Sequence, residues 1–450
     1  MENILQAGYS RRSITPDFSV PLAGYGATDR RMSTEVLSEI FATCIAFTCG
    51  EEKVLLYSQD LIRCNPKWTD ALRERVSQRT GVRPDHIMVC STHTHSAPDV
   101  LSNLDCMQDY CAFYLDVLEQ AAVEALEDLA PITVKGTKTH THNMNFVRHY
   151  LLENGTYAGP NFGDFTSAPV VRHADKNDPE VLLVKLERQE KPSILMVNFQ
   201  VHPTATGGNA STKISADFIT SLRDNLEAST QMQVAYFTGA AGNQVLGSRL
   251  TSETDGQSTK DHRAFGGSHY LIYGWRLAKY VIHALPDLQD LHSNTLKTTQ
   301  TMLELDVNHD DEDRYEDALR VRQTWNEVDR TTANKLAKSL GISSVYHAGA
   351  ILTRRNRPQR NAMELDAIRI GEITFVTMPY EGFGAHGVYV KENSPFDFTM
   401  VFSCANAGWN YIPTAEAYEY GCYESFTSYF AKGSGETAAE TLVEMLGKLK

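Results

Sequence analysis

The residues best suited to chemistry lie in the stretch Cys90-Ser91-Thr92-His93-Thr94-His95-Ser96-Ala97-Pro98-Asp99. Its two histidines follow the apolar run Ile87-Met88-Val89, where a core strand gives way to a loop. Residues i and i+2 of a strand point to one face, so His93 and His95 are expected to face one cavity. A metal site, alone or with a general base beside it, needs that arrangement. Two buried, hydrogen-bonded histidines would look the same in sequence.

Two more strand ends carry donors. Ile194 to Phe199 runs into Gln200-Val201-His202-Pro203, and Ile373 to Met378 runs into Pro379-Tyr380-Glu381-Gly382. Two imidazoles, one carboxylate and an open valence describe a catalytic zinc site. The edge beyond the C-terminal ends of core strands is where α/β proteins place their sites. The turn Gly239 to Asn243 lets backbone N–H groups approach a ligand, and the glycines on either side of Tyr25 suit a tight loop. Asn243 either satisfies turn backbone or touches substrate. Residues 406–424 are rich in tyrosine and glycine.

The elements that must position these residues are legible in outline. Residues 7–64 read as β-rich, with strands at Ile40 to Thr48 and Val54 to Ser58 joined at Gly50-Glu51-Glu52. Trp68 to Arg79 and Asp109 to Leu129 read as helices, and this alternation with strands predicts α/β layering. Val181 to Leu186 pairs with Ile194 to Phe199, and Ala367 to Ile370 pairs with Ile373 to Met378. Residues 132–180 read as irregular but polar, with His140, His142, Asn145, Arg148 and His149. Further helices are expected up to Leu226, over Tyr270 to Ala284, over Glu312 to Leu340 and over Glu436 to Lys450, with a polar stretch at Ser252 to Gly267. The expectation is an α/β fold of mixed β-sheets packed together and flanked by helices, in one domain spanning residues 1–450.

Composition narrows the partners. The 450 residues include 42 basic and 56 acidic ones, a net charge of −14, which argues against nucleic acid and anionic membranes. No apolar run reaches the roughly 18 residues of a membrane span. The N-terminus has neither a basic start nor an apolar core, and the eight cysteines have no C-x-x-C spacing. Reduced structural thiols and a cytoplasmic location are therefore expected. Homo-oligomerisation stays open.

At this point the sequence resembles the neutral (non-lysosomal) ceramidase family in its N-terminal catalytic domain. Ala23-Gly24-Tyr25-Gly26 resembles the family's early Gly-Tyr-Gly loop. Thr92-His93-Thr94-His95-Ser96-Ala97-Pro98 resembles its Thr-His-Thr-His-Ser-Gly-Pro signature, with Ala97 for glycine. Asn145-Phe146-Val147-Arg148, His202-Pro203-Thr204, Gly239 to Asn243, and Pro379-Tyr380-Glu381 resemble further elements. Residues 406–424 resemble its tyrosine block through Tyr411, Thr414, Tyr418, Tyr423 and Glu424, with Pro413 in place of a threonine. The resemblance spans roughly residues 7–430 and stops short of the family's C-terminal immunoglobulin-like domain.

Carried over by position, the resemblance implies Zn²⁺ bound by His93, His202, Glu381 and Tyr411. It implies that His95, Arg148 and Tyr423 face the reacting group, with Tyr25, Asn145 and Asn243 as candidates for substrate contact. The activity implied is hydrolysis of an N-acyl bond in a small acylated substrate of lipid metabolism. An ester, lactone or glycosidic bond in a sugar-derived metabolite would suit the same site, and so would a non-catalytic, metal-stabilised binding module. Asp99 and Asp217 are expected to orient a histidine or cap a helix. His386 has no assigned part, and Cys422 has no basic partner in sequence.

Overall fold

Strict alternation of side chains builds two β-sheets that lie face to face. Along Glu52–Gln59, Leu55 and Tyr57 turn to one apolar cluster while Val54 and Leu56 turn to another. The computed structural model describes residues 4–25, 31–206, 211–250, 269–291 and 294–450. Gly26 and the stretch Ser252 to Gly267 lie outside the described residues.

The larger sheet contains β1 (Leu5–Ser13), β2 (Phe41–Cys49), β3 (Glu52–Gln59), β4 (Ile87–Ser91), β5 (Ala130–His140), β6 (Glu180–Arg188), β7 (Ile194–Phe199) and β8 (Gln233–Thr238). Its spatial order is β8-β7-β6-β5-β1-β2-β3-β4, with the short strand Gln289–Leu291 beside β5. The pairs β3–β4 and β7–β8 are parallel and the other ladders antiparallel. The smaller sheet has β9 (Leu296–Asp306), β10 (Arg360–Ile370), β11 (Ile373–Met378) and, beyond the short β12 (Tyr380–Gly382), β13 (Phe398–Ser403). Here β11 and β13 are parallel. A separate parallel pair joins β12 to β14 (Trp409–Ile412).

Between the sheets, Val184, Met196 and Phe237 meet Ile368, Phe375, Met400 and Phe402. The Phe237 and Phe402 rings stack 4.4 Å apart. Helices α1 (Pro66–Thr80), α2 (Cys106–Glu127), α3 (Phe218–Thr230) and α4 (His269–Ala284) pack on the larger sheet. Three more, α5 (Tyr315–Glu327), α6 (Arg330–Ser339) and α7 (Val345–Arg354), share a satellite core of Ala318, Val321, Ala333 and Ile351. Helix α8 (Gly384–Asn393) and, after α9 (Ala415–Tyr420) and α10 (Tyr423–Thr427), helix α11 (Ser434–Lys448) cover the smaller sheet through Val390 and Leu442. The fold is therefore α/β, with mixed sheets packed together between helices, as expected.

Two local expectations fail. Residues 130–140 are not irregular but form β5, a full strand within the larger sheet. Threonine, lysine and Gly136 dilute its apolar signal, and burial comes from its neighbours instead. The single helix expected over Glu312 to Leu340 is broken into α5 and α6, because Asp329 starts a new helix by accepting from Thr332 N at 2.8 Å. The eight cysteines are free. Among the described residues, no helix is long and apolar enough to cross a membrane.

One polar side chain pins the sheets together. Asn198 Nδ2 donates to Phe237 O at 2.9 Å and to Val401 O at 3.0 Å, across the interior. Asn198→Leu should cost about 1–3 kcal/mol by stranding buried acceptors. Urea denaturation reads this directly, and an unchanged midpoint would show that the bonds contribute nothing.

Candidate metal centre

The C-terminal ends of strands from both sheets converge on one point. Asn406 N donates to Val89 O at 2.7 Å, tying the end of β13 to β4. His93 does not share a strand face with His95. Strand β4 stops at Ser91, and His93 turns left-handed at φ 70°, so a kink rather than strand alternation brings the two rings together. Their Nε2 atoms stand 3.3 Å apart.

Each candidate ligand is held from behind. His93 Nδ1 lies 2.6 Å from Ile62 O, just past β3, and His202 Nδ1 lies 2.7 Å from Ala241 O in the turn after β8. A carbonyl can only accept, so both Nδ1 atoms carry the proton and both Nε2 lone pairs point inward. Glu381, paired in register with Tyr411, places Oε2 at 3.2 Å from His93 Nε2 and 3.3 Å from His202 Nε2. That oxygen is buried and has no hydrogen-bond partner among the described residues. The Tyr411 hydroxyl sits 3.5 Å from His202 Nε2.

Lone pairs from two imidazoles and a carboxylate crowd one buried point and repel unless a positive charge lies among them. Burial lowers the His93 pKa, but Cys404 and Glu381 outweigh it and raise it, so with no cation at this point a proton on His93 Nε2 supplies that charge. His202 falls to about 4 through burial and the charge of Arg148. Glu381 stays well below the carboxylate range despite burial, because His93 and His202 favour its charge. Tyr411 is pushed well above the phenol range by burial and then by Glu381, an effect that a bound cation would reverse. The donor set suits zinc, which takes imidazole and oxygen ligands.

His95 stands in this group differently. His93, His95 and His202 all bring a ring nitrogen within 4.8 Å of one another. Yet His95 Nδ1 is buried with no partner among the described residues, whereas ligating histidines are anchored by a hydrogen bond at the other nitrogen. Burial, followed by His93 and His202, drives its pKa well below the usual value and keeps it neutral. Gly24, at φ 94°, lies so close that a Cβ would come within 2.7 Å of His95 Nδ1. Tyr25 meets the His95 ring edge-on at 5.1 Å, with its hydroxyl buried and without a hydrogen-bond partner among the described residues.

On the other side, the Arg148 guanidinium packs 5.2 Å from the Tyr411 ring centre. Arg148 is no surface ion-pair partner. Its Nε donates to the fully buried Glu424 at 2.7 Å. Tyr423 meets Tyr411 edge-on at 5.7 Å and Tyr346 of α7 at 5.7 Å. Tyr346 also donates to Tyr25 O at 3.2 Å, so the satellite helices wall the site. Nothing in the sequence around Tyr346 or Cys404 points to this placement.

Asn145 stands behind the centre. Its amide donates to Asp178 O, Gln200 O and Gln244 Oε1 at 2.7–2.8 Å. Asn243 accepts from Gly384 N at 3.0 Å, and its carbonyl accepts from Arg148 N at 2.9 Å. Asp217 caps α3 and Asp99 accepts from Leu101 N, both local tasks. His140 and His142 are exposed, whereas His149 is fully buried beside Glu424. His386 packs against Gly435 of α11.

No family model matches the sequence, and no curated protein matches it. In fold it is similar to the structure described as the crystal structure analysis of neutral ceramidase from Pseudomonas aeruginosa, with a TM-score of 0.71 and 14% identity, covering 99% of this chain and 74% of that one. A structure described as ceramidase complexed with C2 gives a TM-score of 0.70 and 14% identity, over 99% and 75% of the two chains.

Glu424 makes the acid limb of stability predictable. Burial raises its pKa, but Arg148 and His149 prevail and hold it down to about 2, below its ordinary 4.5. The stability it contributes is complete above the ordinary value and is lost as pH falls through about 2. Glu424→Gln should therefore show a weaker pH dependence of its melting temperature between about pH 4 and pH 2. Parallel curves for the two proteins would show that Glu424 is not ionised in the fold.

Proposed function

We propose that this chain, whose fold matches that of neutral ceramidase, is a zinc-dependent hydrolase that cleaves an N-acyl (amide) bond of the kind found in ceramide. The observation that carries this reading is the unpartnered Glu381 Oε2 facing the inward Nε2 atoms of His93 and His202, with Arg148 and Tyr423 beside it. His93, His202, Glu381 and Tyr411 would hold the ion, within a single hydrolase domain spanning residues 1–450.

Zinc, when bound, supplies Lewis acidity and brings the pKa of water down to near neutrality. His95, neutral and with one ring nitrogen unanchored, takes the proton of the attacking water. It then returns that proton to the nitrogen of the amide, because amines leave poorly unprotonated. Arg148 and the Tyr423 hydroxyl donate to the carbonyl oxygen as it gains charge. The C–N bond breaks, and a carboxylic acid and a free amine leave, the acid passing its proton to the amine or to solvent. Tyr25, against His95, is placed to touch the bound substrate.

Elemental analysis should find about one zinc per chain. His93→Ala and His202→Ala should each lose most of it, and full zinc in both variants would overturn this ligand set. His95→Ala should keep the metal but lose turnover of an N-acylsphingosine; loss of metal instead would make His95 a ligand. Tyr423→Phe removes one hydroxyl and should lower kcat by roughly 10²-fold or more with zinc retained. An unchanged kcat excludes Tyr423 from the reaction.

A further inference from the structure

Behind Arg148 lies a chain of buried and half-buried polar side chains that the proposed chemistry does not use. Glu424 Oε1 accepts from Arg148 Nε at 2.7 Å. Glu424 Oε2 lies 2.8 Å from His149 Nε2, and His149 Nδ1 lies 2.8 Å from the Tyr420 hydroxyl. An ionised carboxylate can only accept, so His149 donates from Nε2, and its Nδ1 closes the second hydrogen bond with the Tyr420 hydroxyl. Glu424 and His149 are fully buried. The link runs inside a small cluster of Phe162, Phe383 and Cys422, where low polarity strengthens each bond.

Cys422, His149 and Glu424 also bring potential ligand atoms within 4.8 Å of one another. Charge argues against a second metal there. Arg148 already supplies the cation that Glu424 needs, and the His149–Glu424 separation is that of a closed hydrogen bond.

We infer that Tyr420, His149 and Glu424 form a positioning chain that sets the rotation of the Arg148 guanidinium at the metal centre. Two of the guanidinium nitrogens lie against Glu424 Oε1, Nε at 2.7 Å and Nη2 at 2.5 Å. Only Nε is aligned to donate. Nη2 is buried and has no hydrogen-bond partner among the described residues. A planar guanidinium held against one carboxylate oxygen at both Nε and Nη2 has a fixed plane, so its remaining donors are fixed in direction. The face of the same group lies on Tyr411, the tyrosine proposed as a ligand. Tyr420 is in turn fixed by stacking on Tyr157 at 4.3 Å. The inference rests on the reading of Arg148 as an oxyanion donor only for its effect on turnover; the orientation itself is testable apart from it.

The test uses the full chain loaded with zinc and labelled with [¹⁵N]arginine. Arg148→Lys removes and so assigns the Arg148 Nε–H signal. Tyr420→Phe keeps the ring and its stacking, and His149→Gln breaks the middle of the chain. In both variants that signal should shift, and its exchange with solvent should speed up by roughly fivefold or more, the effect of losing one hydrogen bond. An unchanged signal in both variants overturns the inference. With N-acylsphingosine as the probe, Glu424→Gln should lower kcat by roughly 10²-fold while KM and zinc content hold, as misplacement of a reacting-site group does. A signal that moves while kcat stays constant supports the positioning chain and counts instead against Arg148 as an oxyanion donor.

Discussion

Glu381 is a buried carboxylate whose Oε2 has no hydrogen-bond partner among the described residues and faces two imidazole nitrogens at 3.2 and 3.3 Å. An uncompensated charge in that position costs several kcal/mol, so the surroundings favour a positive charge there, a proton on His93 or a bound cation. The backbone around it reflects that demand. Carbonyls of Ile62 and Ala241 fix the tautomers of His93 and His202, and the register of β12 with β14 sets Glu381 opposite Tyr411. The site is thus assembled from the segments that follow five core strands, β3, β4, β7, β8 and β11.

Assembly of this kind calls for unusual backbone. Tyr25, His93, Cys404 and Asn406 all take positive φ without being glycine. Such conformations cost free energy and persist where packing over-determines them. The two-sheet core does so here. Asn406 joins β13 to β4, Asn198 joins β7 and β8 to β13, and the Phe237–Phe402 stack lies between them. Any slip of one sheet against the other would separate Glu381 from the histidines.

The centre also divides by charge. Neutral and anionic donors cluster on the side of His93, His202 and Glu381. The permanent cation, Arg148, packs on the Tyr411 ring and is paired with Glu424. Arg148 lowers the His202 pKa through its charge. Its ion pair keeps a positive group next to the metal centre at modest cost, because the partner carboxylate is itself satisfied by His149.

The sequence alone determined the local facts: which runs are strands, that His93, His202 and Glu381 lie just beyond three of them, and that sheets alternate with helices. Hydrophobic period and turn residues carry that information within a few residues, so it survives without the fold. It misjudged β5, whose burial is supplied by neighbouring strands, and the helix over Glu312 to Leu340, where a single cap at Asp329 outweighs the charged periodicity. It placed His93 and His95 together for the wrong reason, since the kink at His93 is set by bonds to Leu61 and Ile62 some thirty residues earlier. Only the tertiary structure decided that Arg148 pairs with Glu424, 276 residues away, that His149 is buried while His140 and His142 are exposed, and that Tyr346 walls the site. Those are contacts between distant segments, and a hydrogen bond across such a gap leaves no period or spacing in the chain.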